Sequence, residues 1–405
     1  MSGRVPVLTA DEAVAVAADL GERFAKDAAT RDSDRVLPVA ELDQLSESGL
    51  LAVTVPASYG GAGLGAGSLA EVFRLLSAGD PSLGQIPHSH FVYVNALRHQ
   101  ATPEQQAFLF GEVLAGRRFG NAQSEVGTRH VRDIRTALTP LGDGTYSLDG
   151  VKGYATGALL ADWIPVLAHL DTLADPGAGP LHVAWVERHA EGVTVVDDWD
   201  GMGQRTTASG TVRLEGVRVT ADRITPWHLT FDGPQTYGAF AQLLHAAIDA
   251  GIARAALTEA AEFVTTKSRP YPDAIAELGV ERHADDPLVV QAFGELELGV
   301  RAAEALLREA GRAVDAADAD LSAESAGAAS LAVAAARAST TQAALDVGTR
   351  LFEVSGTRSA LDSLNLHRHW RNARTHTLHD PAAWKVRHLG HFALDGTLPP
   401  NHGQL

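Results

Sequence analysis

The sequence predicts a mainly α-helical protein with a central β domain, and three observations carry that expectation. Apolar residues in the first and last parts of the chain recur three and four positions apart, the period of a helix with one buried face. Between about residues 118 and 232 the pattern changes to short β-branched or alternating runs punctuated by Gly, Asp and Pro. Helix caps and prolines sit where the helical patterns begin and end. With 405 residues, 45% of them hydrophobic, the chain can bury a large core as two or three structural units. The expected division is 1–117 helical, 118–232 β and 233–405 helical bundle.

In chain order, Thr9 is placed to cap a helix whose Ala13, Val16, Ala17 and Leu20 share one face. A second helix covers about 39–48 and stops at Gly49. Leu51–Pro56 leads into a loop, Tyr59-Gly60-Gly61-Ala62-Gly63-Leu64-Gly65, and helical patterns follow at about 68–78, 83–99 and 103–115. The segments beginning at Thr145, Trp163, Leu181 and Gly210 read as strands of an antiparallel β domain. Asp286-Pro287 opens a helix whose Val289, Phe293, Leu296, Val300, Ala303 and Leu307 form a bundle stripe. The Ala-rich stretch 323–351 is a further long helix suited to close packing.

Composition excludes several classes. There is no Cys, which removes disulfides, thiolate metal sites, iron–sulfur clusters and cysteine nucleophiles. Lys plus Arg number 33 against 50 Asp plus Glu, a net charge of −17 that repels a phosphate backbone, so no nucleic-acid partner is expected. The first residues lack an apolar signal core and no run of transmembrane length appears, so a cytoplasmic protein with no membrane partner is expected.

Gly61-x-Gly63-x-Gly65 lacks the spacing and the β-α setting of a dinucleotide loop and reads as a tight turn. Seven of the 17 His lie beyond residue 366, at 367, 369, 376, 379, 388, 391 and 402. His376 and His379 can share a helix face, but no third and fourth ligand is apparent, so no metal is expected. The same stretch is basic, with Arg368, Arg371, Arg374, Lys385 and Arg387 against Asp380, which suggests an anionic ligand. Pro381 ends the helix carrying Arg371 and Arg374, and Asp380 is placed to cap a last helix. That leaves His379 at a helix–helix junction, as an acid–base candidate.

The run Arg368-His-Trp-Arg-Asn-Ala-Arg-Thr-His-Thr-Leu-His-Asp-Pro381 resembles the C-terminal signature of flavin-dependent monooxygenases built on the acyl-CoA dehydrogenase fold, of the dibenzothiophene monooxygenase and sulfur-acquisition type. Ser48-Gly-Leu-Leu51, Val55-Pro56, Tyr59-Gly-Gly61, Asp80-Pro-Ser-Leu-Gly84, Gly120-Asn-Ala-Gln-Ser-Glu125, Lys152-Gly-Tyr-Ala-Thr-Gly157, the Asp197–Gly210 segment and Phe352–Arg358 extend the resemblance over nearly the whole chain. It implies an N-terminal helical domain, a β-barrel-like middle domain and a C-terminal four-helix bundle. It also implies reduced FMN supplied by a separate NAD(P)H:flavin reductase, since no NAD(P)H motif is visible, together with O2, a small organosulfur substrate and a homotetramer. Catalytic roles are implied for His379, His376, His90 and Thr156. Flavin contacts are implied for Asn121, Ser124, Tyr154, Thr156, Trp199 and His379, and a phosphate grip for Arg269 and Arg358, part of it across a subunit interface. The alternative is an FAD-dependent acyl-CoA dehydrogenase. In that group a glutamate removes the substrate's α-proton; here its position falls on Asp380, followed by Pro381. A Gly-Gly pair that grips FAD in that group is replaced by Val354-Ser-Gly-Thr-Arg358, which favours FMN over FAD.

Met1 and Met202 are the only sulfur atoms of the chain. Beside the resemblance, this fits a protein made when sulfur is scarce. A coding bias towards Ala, Gly, Arg and Asp, or avoidance of oxidisable side chains, would give the same count.

Overall fold

A computed structural model describes residues 3–171 and 179–403 of the chain. Helix α1 (Ala10–Asp34) is capped as expected: the Thr9 hydroxyl accepts from the Glu12 N–H, and the Glu12 carboxylate accepts from that of Thr9. It buries Ala13, Ala17, Leu20 and Phe24. α2 (Val39–Glu47) is followed by Gly49 in the left-handed region at φ +83°. The Gly-rich loop is the tight turn that its spacing suggests. Gly60 and Gly63 have φ of +89° and +63°, and a Cβ on Gly61 would stand 2.2 Å from the Val55 carbonyl oxygen. α3 (Ala66–Gly79) starts directly after it.

The helix expected over 83–99 is two helices, α4 (Pro81–Gln85) and α5 (His88–Gln100), followed by α6 (Pro103–Leu114). Pro87 is the reason. It has no N–H to donate and its ring crowds the carbonyl four residues back. The break makes His88 the first residue of α5.

The middle of the chain forms one seven-stranded sheet. The strands are β1 (Ala137–Pro140), β2 (Thr145–Lys152), β3 (Trp163–Leu170), β4 (Leu181–Glu187), β5 (Val193–Val196), β6 (Thr211–Thr220) and β7 (Ile224–Thr225), in the order β5-β6-β2-β1-β3-β4-β7. The antiparallel expectation fails at one pairing, because β1 and β3 are parallel. β2 turns back beside β1, and the chain then crosses over β1 to lay β3 on its other side. That crossover contains residues 153–162. Residues 119–122 run alongside β3 through bridges from Phe119 to Trp163 and from Ala122 to Val166. The sheet's core includes Leu138, Leu148, Ile164, Val166, Val212 and Val217.

The chain then forms α7 (Tyr237–Thr266), α8 (Pro272–Leu278), α9 (Pro287–Ala319), α10 (Ala323–Ser355), α11 (His367–His376) and α12 (Ala382–Asp395). Asp286 caps α9 through the Leu288 N–H, as predicted. α7, α9 and α10 pack on one another, α12 packs on α10, and α3 joins them, so the N-terminal helices and the bundle share a single core. Every residue from Tyr237 to Ala253 is buried, which makes α7 the central helix of the molecule. No helix among the described residues is long and apolar enough to cross a membrane.

Candidate active site

The buried half of α7 is apolar except for Gln242, His245 and Asp249, which lie three and four residues apart on one stripe. Around that stripe the fold gathers His88 from α5, Arg337 and Thr341 from α10, His376 from the end of α11, and His379 and Asp380 from the turn before α12. The His245 ring lies between those of His88 and His379, at centroid distances of 3.9 and 4.0 Å. Its Nδ1 is 3.0 Å from His376 Nε2, and His376 Nδ1 is 2.5 Å from Asp249 Oδ1. Asp249 also meets the Arg337 guanidinium and accepts from the Thr341 hydroxyl at 3.1 Å. Arg337 reaches Asp380 Oδ1 at 3.4 Å. The other Asp380 oxygen is 2.8 Å from Lys385 Nζ.

Charge in this cluster is closely balanced. Burial acts to raise the Asp249 carboxyl, but Arg337 and His376 outweigh it and hold it below the usual carboxylate range. Burial lowers His376, and Arg337 and His379 add to that against the pull of Asp249, so the ring is held neutral. Burial, with the neighbouring His88, His379, His376 and Arg337, holds His245 well below its ordinary value. His88 is lowered to about 3, again chiefly by burial. For Asp380, burial is overcome by His379, Arg337 and Lys385, which keep it well below the usual range. The expected N-cap role of Asp380 is therefore corrected: α12 starts at Ala382 with no side-chain cap, because the carboxylate is engaged by Arg337 and Lys385.

A second group of residues lies on the β-domain loops. Tyr154 and Trp199 pack edge to face at 6.4 Å. Thr156 Oγ1 is 2.8 Å from Ser209 Oγ, which is 2.7 Å from Thr207 Oγ1. Tyr154, Gln204 and Ala208 all have φ near +50°, a conformation that costs a non-glycine residue of order 1 kcal/mol or more and concentrates at functional sites. Asn121 donates to the Tyr154 carbonyl at 3.3 Å, while its Oδ1 is buried without a partner. Ser124 joins through its backbone carbonyl, which accepts from the Gly153 N–H. The segments carrying Asn121 and Tyr154 are bound together by a buried ion pair, Lys152 to Glu125 at 2.9 Å.

α11 connects the two groups. Its Asn372 accepts from the Gln204 N–H at 2.7 Å, and its His376, one turn later on the same face, enters the histidine cluster. Of the residues singled out in the sequence, His376 and His379 thus come together, as do Asn121, Tyr154, Thr156 and Trp199. His90 is brought to neither group. It is 1% exposed, its Nε2 donates to the Leu51 carbonyl, and its Nδ1 accepts from the Phe119 N–H. Burial lowers it to about 4, so it joins the N-terminal helices to the β domain as a neutral ring. Arg269 and Arg358 are exposed, on segments joined by a Ser268–Ser355 hydrogen bond. Neither has a carboxylate partner among the described residues. His88, His245, Asp249 and Arg337 did not emerge from the sequence. The one signal for them is a His and an Asp four apart inside the apolar run of α7.

Three of the five basic residues at 368–387 are engaged by carboxylates of the chain itself, while Arg374 and Arg387 meet none among the described residues. Arg371 pairs with Asp32, Lys385 with Asp380, and Arg368 with Glu259, which His369 also contacts at 2.6 Å. Burial acts to raise Glu259, but His369 and Arg368 overcome it and pull it down to about 2. The folded value is below the ordinary 4.5, so the stabilisation is complete above that pH and fades as pH falls towards 2. With the side chain 31% exposed, the contribution is on the order of 2 kcal/mol. Glu259→Gln is expected to lower the urea midpoint at pH 7 and to approach wild type at pH 3. A deficit equal at both pH values would reject the charge argument.

Residues 11–117 match the acyl-CoA dehydrogenase N-terminal domain and residues 243–383 the acyl-CoA dehydrogenase C-terminal domain. The chain is 33% identical over 401 residues to a dibenzothiophene monooxygenase of Rhodococcus qingshengii, covering 96% of this chain and 94% of that one. Its structure superposes on FMN-bound TdsC from Paenibacillus sp. A11-2 with a TM-score of 0.90 at 32% identity, covering 97% of this chain and 100% of that one. Methanesulfinate monooxygenase MsuC from Pseudomonas fluorescens gives 0.87 at 32% identity, covering 97% and 99%.

Proposed function

The chain belongs to the acyl-CoA dehydrogenase family, among its flavin-dependent monooxygenases, and from that premise we propose that it oxygenates a small organosulfur compound in sulfur acquisition, as a cytoplasmic two-component enzyme. Reduced FMN, delivered by a separate NAD(P)H:flavin reductase, supplies the two electrons that send one atom of O2 into the substrate and the other into water. The observation that carries monooxygenation over dehydrogenation is the state of Asp380. At the position where the resemblance puts the dehydrogenases' base, this carboxylate is tied to Arg337 and Lys385 and held well below the usual carboxylate range.

The residues fit a flavin. Tyr154 and Trp199 offer aromatic edges for a ring system, and Thr156 and Ser209 offer hydroxyls. The unbonded Asn121 Oδ1 is an acceptor of the kind a flavin N–H requires. Arg269 and Arg358, without carboxylate partners among the described residues, suit a terminal phosphate. His376, buried at 2% exposure, and His379, half exposed beside it, hold protons where substrate and oxygen would meet. A homotetramer is supported by large apolar side chains left exposed on the bundle: Leu288 at 76%, Leu298 at 70% and Leu394 at 86%.

The test is turnover with a flavin reductase, NADH, FMN and 18O2 over a panel of thiophenes, sulfides, sulfones and sulfinates, read by mass. One sulfur compound should gain 18O only when reductase is present. No labelled product from any of them, or bleaching of a bound flavin by an acyl-CoA, would overturn the reading.

A further inference from the structure

The buried histidines carry a direction that hydrogen-bond chemistry fixes. A carboxylate only accepts, so His376 Nδ1 carries the proton that lies 2.5 Å from Asp249 Oδ1. Arg337 already balances the Asp249 charge, so the carboxylate does not force His376 to become an imidazolium. In the neutral ring Nε2 is then a lone pair. The only group that can fill the 3.0 Å contact to His245 is therefore a proton on His245 Nδ1. That leaves His245 Nε2 as an acceptor, with no protein partner among the described residues. The ring is packed between His88 and His379. His88 is oriented in the same sense, because its Nε2 donates to the Ala241 carbonyl at 3.0 Å and leaves Nδ1 as a lone pair.

We propose that Asp249 and Arg337 are positioning residues that fix His376 and, through it, His245 in one tautomer, so that His245 Nε2 ends the relay as a proton acceptor at the oxygenation site. Asp249 alone, without Arg337, would favour a charged His376. Arg337 alone would leave the tautomer unset. The groups facing this relay are His88 from α5, Arg337 and Thr341 from α10, His379 and Asp380 from the turn after α11, and Lys385 from α12. Asp380 is occupied by Arg337, by Lys385 and by His379 Nδ1 at 3.3 Å, which leaves Asp249 as the carboxylate that meets His376. The consequence for turnover rests on the monooxygenase reading; the tautomers do not.

The test uses the full chain with 15N-labelled histidine and no added flavin, read by long-range 1H–15N correlation, with assignments from His376→Gln and His245→Gln. Wild type should carry the proton on Nδ1 of both rings at pH 7. In Asp249→Asn, Arg337 keeps hold of the amide oxygen and the amide NH2 faces His376 Nδ1. Both rings should therefore move their proton to Nε2, and the terminal acceptor becomes a donor. Product formation should then fall at least about 100-fold, the scale of a lost acid–base group, while FMN binds within about twofold of wild type. Should that variant fail to fold, Asp249→Asn/Arg337→Met removes both charges, and both rings should become tautomer mixtures. An imidazolium at His376 in wild type, or wild-type tautomers in the variants, would overturn the proposal. If wild type oxygenates no sulfur compound, the functional reading falls while the tautomer result still decides the relay.

Discussion

Arg337→Met lowers the stability of the protein by about 3–5 kcal/mol at pH 7, the cost of leaving a buried charge without its partner. Arg337 is 1% exposed and Asp249 is fully buried, so water does not replace the lost guanidinium. The variant also strips a contact from Asp380 and the 3.1 Å bond to Thr341. Methionine fills much of the volume, so the loss is electrostatic and its pH dependence has a definite sign. With Arg337 in place, Asp249 is held below its ordinary value. Without it, the Asp249–His376 pair relieves the unbalanced charge only by taking up a proton, on the ring or on the carboxyl, so the penalty grows as pH rises and shrinks as pH falls. Urea midpoints at pH 7 and pH 5 check both parts. Wild-type stability at pH 7, or a deficit that widens on acidification, would show that Arg337 does not hold the Asp249 charge.

The same cluster marks where the sequence stopped being legible. Features written within a few residues were readable: Thr9 with Glu12, Asp286 with Pro287, the stop at Gly49, and the turn at Gly60–Gly63. Features that depend on distant pairing were not. Arg371 meets a carboxylate 339 residues away and His376 meets one 127 residues away, so the stretch read as more freely basic than it is, with three of its five cations used internally. That His90 was legible and His88 was not is a matter of helix register. Pro87 starts α5 at His88, which faces α7. Two positions on, His90 points roughly the opposite way and is held between Leu51 and Phe119. The parallel β1–β3 pair was equally hidden, because strand direction depends on where the crossover runs and not on local alternation.

Gly203→Ala is expected to weaken FMN binding by more than tenfold and to cost about 1–3 kcal/mol of stability, without touching any side chain assigned to the flavin. A Cβ at Gly203 would stand 2.1 Å from the Arg371 carbonyl oxygen and 2.7 Å from the Asn372 nitrogen. Ordinary contact needs nearly 1 Å more, so either the loop or α11 must move. α11 is the fixed partner, since Arg371 is bound to Asp32 and Asn365 outside the loop. The loop therefore gives way at Gln204, whose N–H reaches Asn372 and whose carbonyl accepts from Trp199 Nε1 at 2.8 Å and from Thr207 Oγ1 at 3.0 Å. A shift there carries Trp199 away from Tyr154 and disturbs the Thr207–Ser209–Thr156 hydroxyls together. It also separates the β-domain loops from the helix that bears His376, so turnover should fall further than binding. Gly111→Ala is the matched control: it lies inside α6, nothing stands within 4 Å of its added methyl, and it should be neutral or stabilise by about 0.5–1 kcal/mol. Quenching of flavin fluorescence on titration measures the binding. Wild-type FMN affinity in Gly203→Ala would mean that α11 does not hold the flavin loops in place.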